Sequence, residues 1–365
     1  MKRNKNRRRW TRWCWWLLAV SFLLMGSAAA FTLVVDPYQI YHPMLGGHPR
    51  FNRYLQRFSV PGLARTANYE IALAGTSMLQ NIPNSAVERL CGGKAVNLCM
   101  AGASIHEEAL TLRLVLKHSG TKVAILTMDY NSFSGGAIEP VLGVDFVFPA
   151  YLYDDSALDK FPYFLSFDSI LTSYRALRAP LREGETLDSD WPWKFPDTMK
   201  FEAAHAVEGI DPRAINRGFG MTNLNLESMK AAFAANMFPL LEGSKTVRVH
   251  FVFPPYSILV WHDYAQRGQI PIYFAFKKWL VEQSERIGNF DLVDYQDRAD
   301  IITNMSLYAD IYHFNERITE QLVRSACTGE AKLTRDNFEA RTQSLLHLVQ
   351  STDPAEIVRE ARRNH

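Results

Sequence analysis

An α/β fold around a mostly parallel sheet, carried behind one N-terminal membrane-crossing helix and interrupted by a long insertion, is the architecture this sequence predicts. Three observations carry that expectation. Compact apolar runs of strand length alternate with helical stretches from residue 71 to residue 293, the order of a sheet whose strands are joined by crossover helices. Residues 13–35 hold no charged side chain across 23 positions. At 365 residues and 47% hydrophobic content, the chain can bury a large core, in one domain or two closely joined ones.

The N-terminus sets the topology. Residues 1–12 contain Lys2, Arg3, Lys5, Arg7, Arg8, Arg9 and Arg12 and no acid, a basic tail that stays on the cytoplasmic side of a membrane. As a helix, 13–35 spans about 34 Å, enough for the hydrocarbon layer of the membrane lipid. Trp13, Trp15 and Trp16 stand where indole rings favour the interface. A retained anchor is preferred to a cleaved secretory signal, for which Ser27-Ala28-Ala29-Ala30 supplies small residues, because the apolar run continues through Val35 before Asp36-Pro37 ends it. Either version exports residues 36–365. The formal net charge of +2 becomes −5 once the seven tail bases are set aside, with 33 bases against 38 acids. That gives polyanion binding little support outside a local basic groove, and no nucleic-acid partner is expected.

Beyond the anchor, 36–69 reads as a juxtamembrane connector that packs partly over the main domain; it carries Arg50, Arg53, Arg57 and Arg65 but no long regular period. The domain itself is placed at 70–328. Ile71-Ala72-Leu73-Ala74, ending at Gly75, is a buried strand, and Ala95-Val96-Asn97-Leu98 is a second. A helix over 105–118 stops at Gly120, and an apolar strand follows over 122–128. A helix over 226–241, a strand over 247–253, a helix over 273–287 and a short strand over 290–293 complete five sheet strands. Residues 132–225 break the rhythm with Gly135-Gly136, a helix over 167–179 and the Trp191-Pro192-Trp193 and Phe195-Pro196 turns. So long an aromatic-rich insertion suits either a lid or substrate wall, or a structural cap. Residues 329–365 form a charged, partly helical tail set apart from the domain.

The cysteines are Cys14, Cys91, Cys99 and Cys327, with no CxxC pair, so thiolate metal ligation is not expected. Outside the cytoplasm Cys91 and Cys99 are close enough in sequence to bridge a short loop, leaving Cys327 unpaired; Cys99 also reads as a buried strand residue.

Two stretches carry chemistry. Gly75-Thr76-Ser77 follows the first strand, which puts Ser77 at a carboxyl-end turn of the sheet, where open α/β sheets place their ligands. Alone this is weak, since a serine after a strand often merely caps the next helix. Far along the chain, Asp310-Ile311-Tyr312-His313 has the spacing for a carboxylate to hold one imidazole nitrogen while the other faces a serine. The bland alternative is a surface turn whose Asp310 caps the helix beginning near Asn315.

Serine, aspartate and histidine in this order, with the last two three positions apart near the domain end, resemble the SGNH (GDSL-like) hydrolase superfamily. Within it the likeness is to exported, single-anchor proteins of the AlgJ, AlgX and DltD type. The parts carrying it are the nucleophile block 71–80, Asn97-Leu98-Cys99-Met100-Ala101-Gly102-Ala103, the strand ending Met128-Asp129-Tyr130-Asn131, and Asp310-x-x-His313. The resemblance implies a three-layer fold and a catalytic Ser77, Asp310 and His313. It also implies an oxyanion hole, with the Gly102 and Ser77 N–H groups as its better donors and Asn131 as the nearest amide after the strand. The block reads Gly-Thr-Ser where the family name has Gly-Asp-Ser, and no clear Gly-x-Asn-Asp is present.

Around this triad, Asn97 is placed to tie down the Ser77 loop or touch substrate, and Asp129 and Tyr130 to border the site. Tyr256 and Ser257, after Pro254-Pro255, either face substrate or pack the loop, and His106 and Glu107 either touch substrate or form an exposed first helical turn. What the resemblance implies is an O-acyltransferase acting through an acyl-serine on a cell-envelope polysaccharide or glycan, without metal or organic cofactor. Its implied partner is a multi-spanning membrane O-acyltransferase, and its implied location the bacterial inner membrane with the domain in the periplasm. A carbohydrate esterase of the same fold, and a non-catalytic glycan-binding or assembly protein, are the alternatives.

Overall fold

The computed structural model describes residues 2–44, 49–134, 148–156, 160–178, 180–182, 184–211 and 223–363, with side chains from Arg9 onward. Gly135-Gly136 of the insertion lies outside the described residues.

Among the described residues there are eight strands: β1 Phe51–Asn52, β2 Ile71–Ala74, β3 Ala95–Asn97, β4 Val123–Thr127, β5 Glu185–Thr186, β6 Arg248–Phe253, β7 Phe290–Asp294 and β8 Lys332–Leu333. Six of them form the central sheet in the order β3-β2-β4-β6-β7-β8, and β1 pairs with β5 in a separate antiparallel ribbon. The first five sheet strands are parallel, with Ile71 opposite Ala95 and Val123, and Val249 opposite Phe290. All four residues of β2 and the last four of β4 are buried. Such unbroken apolar runs are what a sheet covered on both faces demands, since neither face meets water.

The covering helices fall into two groups. Helix Asn84–Cys91 packs on Glu316–Thr328, which also touches β6 and β7. On the other side Ile105–Lys117 and Ile270–Ile287 both pack on Leu226–Gly243, and Gln56–Thr66 packs on Ile105–Lys117. The result is a three-layer α/β architecture. Between β2 and its two neighbours the chain reverses its direction of winding, from β3 on one side to β4 on the other. That switch point opens a crevice at the carboxyl ends of the strands.

The helix Lys2–Val35 includes a 27-residue stretch, Arg9–Val35, whose most apolar 18 residues have a mean hydropathy of 2.2, long and apolar enough to cross a membrane. Its last turn docks on the insertion: Val35 is buried with Met44 and Ala176, and Phe31 and Leu177 pack beside them. Asp36 then turns the chain with φ +45°. Its buried carboxylate accepts from the N–H groups of Ile40, Tyr41 and His42 and from the Tyr163 hydroxyl. The connector is more ordered than its sequence suggests, because Gln56–Thr66 is a helix despite Pro61. At Gly62 a Cβ would overlap the Tyr38 carbonyl oxygen, so only glycine lets this helix lie against the chain leaving the N-terminal helix.

Two expectations need correction. Residues 329–365 are no detached tail, since β8 adds an antiparallel sixth strand beside β7. Helix Arg335–Ser351 buries Phe338, Thr342, Leu345 and Val349, one face at helical spacing. Arg341 donates to the Asp294 carbonyl at 2.7 Å and pairs with Asp297. The abundant charge on this segment is simply the solvent face of a covering layer. Nor does Cys91 bridge Cys99. Cys91 ends its helix and joins Cys327 on the packed helix Glu316–Thr328, across 236 residues. Cys99 is free and fully buried, and burial, then the nearby Glu108 carboxyl, pushes its thiol pKa well up. Proximity in sequence misled because the two cysteines lie on either side of β3.

Closing so long a loop restricts the unfolded chain most. Reduction, or Cys91→Ser, is expected to lower stability by about 2–5 kcal/mol. Guanidinium unfolding with and without reductant measures it, and coincident curves would show that the bridge contributes nothing.

Candidate active site

The turn after β2 is held by its neighbour strand. Gly75 has φ +109°, and a Cβ there would run into the side chain of Thr127 and come within 2.8 Å of its backbone nitrogen. Thr76 then donates twice to the end of β4, from N–H to Thr127 Oγ1 at 2.8 Å and from Oγ1 to Asp129 Oδ2 at 3.0 Å. Ser77 opens a short 3-10 turn, Ser77–Leu79, and is half-buried. Beneath it Asn97 is buried, and its amide donates to the carbonyls of Leu79 at 3.2 Å and Gln80 at 3.1 Å, while its Oδ1 accepts from Cys99 N–H at 3.1 Å. Asn97 therefore ties down the serine loop and does not reach toward substrate.

The second half of the site is a loop fastened to the end of β6. The Tyr308 hydroxyl donates to the Pro255 carbonyl at 2.8 Å, and Ser257 N–H donates to the Ile311 carbonyl at 3.3 Å. Asn315, not Asp310, caps the helix Glu316–Thr328 by accepting from Ile318 N–H. Asp310 instead turns its carboxylate back on its own loop: Oδ1 accepts from the N–H groups of Tyr312 at 2.7 Å and His313 at 2.8 Å. Its Oδ2 lies 2.7 Å from His313 Nδ1, and His313 Nε2 lies 2.9 Å from Ser77 Oγ. Burial works against the Asp310 anion, but the His313 bond and charge and the two backbone donors outweigh it and hold the pKa below the usual carboxylate value. A carboxylate fixed on Nδ1 leaves Nε2 to accept the serine proton.

No family model matches the chain, and no curated protein matches it. A solved structure, that of a "putative arylesterase" from Agrobacterium tumefaciens str. C58, aligns over 71% of this chain and 97% of its own with 12% identity and a TM-score of 0.30. A likeness at that level carries no argument about chemistry, which rests on the geometry alone.

The oxyanion candidates lie on the same sheet end. Met100 N–H donates to the Gly75 carbonyl at 2.8 Å, which brings the glycine turn beside the serine turn. Gly102 has φ +59°, and among the described residues neither its N–H nor that of Ser77 donates to a protein acceptor. Asn131 sits in the 3-10 turn Tyr130–Phe133; its N–H donates to Asp129 Oδ1 at 2.9 Å, and its half-buried side-chain amide has no partner among the described residues.

Other expected site residues turn inward. Asp129 is buried and gathers three donors, the Thr76 hydroxyl, the Tyr256 hydroxyl at 2.6 Å and Asn131 N–H. Tyr130 is fully buried, stacks on Tyr273 and donates to Gln296, while Tyr256 and Ser257 are also fully buried. Asp129, Tyr130, Tyr256 and Ser257 thus support the site from below instead of lining it, because the strand ends on which they lie are covered by the aromatic helix Ile258–Gln266. His106 bonds Asn236 at 3.1 Å. Glu107 is buried rather than exposed, since it both completes a capping box with Ser104 and accepts from Arg57 at 2.6 and 3.0 Å. Beside it, burial pushes the pKa of Glu108 well up; Ser132 donates to its carboxyl at 2.7 Å, and Asp129 and Glu107 add repulsion.

Four further residues contribute, none of them assigned to the site individually from the sequence. Arg57, from the connector, donates to the carbonyls of Ala101 at 3.3 Å and Gly102 at 3.4 Å and so braces the glycine turn. Thr127 receives the Thr76 N–H. Phe195, from the insertion, sets its ring edge-on to His313 at 5.5 Å, and Trp193 donates to the Asn97 carbonyl at 2.8 Å. Phe195 stacks in turn on Phe201, which lines a cleft of about 540 Å³ with Asn304, Ser306 and Glu360. Among the described residues no group of three or more His, Cys, Asp or Glu is arranged to hold a metal ion.

Two outcomes test this geometry. Asp310→Asn is expected to cut turnover of an activated ester by roughly three to four orders of magnitude with the circular dichroism spectrum unchanged, since the amide no longer fixes the imidazole. Thr76→Asp would set a second carboxylate against Asp129, and two such groups cannot both ionise cheaply. The raised pKa contributes stability that is present in acid and lost as pH rises, so this variant should be about 1–3 kcal/mol less stable relative to wild type at alkaline than at mildly acidic pH. Equal deficits in paired melts would argue against the Thr76–Asp129 contact.

Proposed function

We propose that this chain is a serine acyl-enzyme catalyst, an esterase-type enzyme whose intended acceptor is a hydroxyl of a cell-envelope glycan. The observation that carries the reading is the unbroken chain of hydrogen bonds from Ser77 Oγ through both His313 nitrogens to Asp310, built from residues 236 positions apart. In the first step the Ser77 oxygen attacks the acyl carbonyl while its proton passes to His313 Nε2. Asp310 stabilises the imidazolium so formed. The oxyanion would be met by the free N–H groups of Ser77 and Gly102, with Asn131 as a further donor; one such donor contributes about 2.7–4 kcal/mol. Collapse returns the proton to the leaving oxygen and leaves acyl-Ser77. A glycan hydroxyl, deprotonated by His313, then takes the acyl group.

Water in the acceptor's place makes the same site a carbohydrate esterase, and Ser77, Asp310 and His313 are compatible with either. Support for transfer comes from position. A helix able to cross a membrane leads directly into the domain, which suits an acyl donor delivered by a multi-spanning O-acyltransferase partner. The Cys91–Cys327 bridge fits an oxidising compartment, in keeping with a periplasmic domain on a bacterial inner-membrane anchor.

Full-length protein is expected to react covalently with a serine-directed phosphonate at Ser77, and Ser77→Ala to abolish labelling without unfolding. A well-folded but unreactive wild type would favour the glycan-binding alternative. With purified envelope polysaccharide and an acyl ester donor, acyl groups should appear on the polysaccharide; release of free acid alone, with acceptor saturating, rules out transfer and leaves the esterase.

A further inference from the structure

Among the described residues, the large apolar side chains exposed outside the anchor helix all belong to the connector or the insertion. Outside the anchor helix, every described one is Tyr41, Tyr54, Phe161, Phe167, Tyr174, Leu181 or Leu187. Phe161 belongs to helix Phe161–Leu165, and Phe167 and Tyr174 to helix Phe167–Arg178. These are the two helices against which the anchor helix packs as it ends. The exposed ring patch is therefore continuous with the segment that is apolar enough for lipid. Had the patch served to recognise a soluble partner, nothing would require it to sit at the anchor's exit.

At the same level lies a cavity of about 210 Å³, lined by Pro37 and Tyr38 just past the last anchor residue and by Arg50, Arg175 and Arg182. Glu185 is the one acid among its lining residues; it pairs with Arg50 at 3.5 Å and accepts from Arg182 N–H. Three guanidinium groups against one carboxylate leave the cavity cationic. Arg175, half-buried on helix Phe167–Arg178, has no carboxylate partner within ion-pair distance among the described residues. Planar, always-charged guanidinium groups around a pocket suit the oxygens of a phosphodiester, and the depth matches, because Pro37 follows the end of the apolar helix by two residues.

We propose that this face of the insertion lies on the membrane, with Phe161, Phe167 and Tyr174 in the interface and the arginine cavity holding the headgroup phosphate of an anionic phospholipid. Aromatic rings at headgroup depth and arginines above them form the two-part contact by which proteins lie on a bilayer. A single helix can tilt and rotate in the bilayer with the domain docked on its end; the second contact fixes the domain's distance and rotation. The inference rests on reading Lys2–Val35 as a membrane-crossing helix.

The test uses full-length protein in nanodiscs with equal parts phosphatidylglycerol and phosphatidylcholine. After mild delipidation, native mass spectrometry should show phosphatidylglycerol retained in preference. Arg175→Gln and Arg182→Gln should each reduce that preference roughly fivefold. A nitroxide at Tyr174→Cys, in a Cys14→Ser background, should collide more with oxygen than with an aqueous nickel complex, and one at Gln343→Cys the reverse. Retention indifferent to headgroup, unchanged by the arginine variants, or abolished by inorganic phosphate at equal concentration would overturn the headgroup assignment. A water-exposed label at 174 would overturn the contact face. Failure of the chain to enter the discs at all would instead strike the anchor reading, and this inference with it.

Discussion

Thr76 bonds through its N–H and its hydroxyl to the end of the neighbouring strand, and everything above the sheet takes its position from that attachment. Without it the Gly75–Ser77 turn would be an exposed loop with several backbone states. With it, the serine oxygen has a fixed height over β4, and the His313 loop, itself fastened to the end of β6, can meet it at 2.9 Å. Asp129 is the pivot, because a buried carboxylate with three donors resists displacement in any direction. The threonine is thus no casual replacement for an acid. A hydroxyl donates to Asp129, whereas a carboxylate in its place would oppose it.

The sheet was legible because its signal is local and repeated. Ile71–Ala74 and Phe290–Asp294 are short apolar runs between turn residues, and their bounds came within a residue or two of the expectation. The chemistry-bearing residues were legible for a different reason: serine after a strand and an Asp-x-x-His turn are both short, and topology alone puts strand ends together. What stayed hidden depends on contacts between distant segments. Nothing local in the connector marks Arg57 as a brace for Gly102, and nothing in Cys91 or Cys327 announces the other. Strand-end residues such as Tyr130 and Tyr256 looked like site walls because sequence position gives the end of the sheet but not the layer. Whether such a side chain points up into the crevice or down under an aromatic helix is a tertiary matter.

The insertion joins two parts of the protein that sequence order separates. Its Trp193 and Phe195 reach the end of β3 and the histidine loop, and its helices Phe161–Leu165 and Phe167–Arg178 hold the end of the N-terminal helix. The site and the end of the N-terminal helix are therefore contacted by the same stretch of sequence.

The bridge between Cys91 and Cys327 encloses the whole insertion and most of the sheet. A protease that cut anywhere between those positions, the aromatic loops included, would produce two fragments that remain one molecule. A cut before His313 would leave the hydroxyl on one fragment and the imidazole on the other, and the covalent link would keep them paired. The bridge thus gives the fold tolerance of a chain break within its insertion.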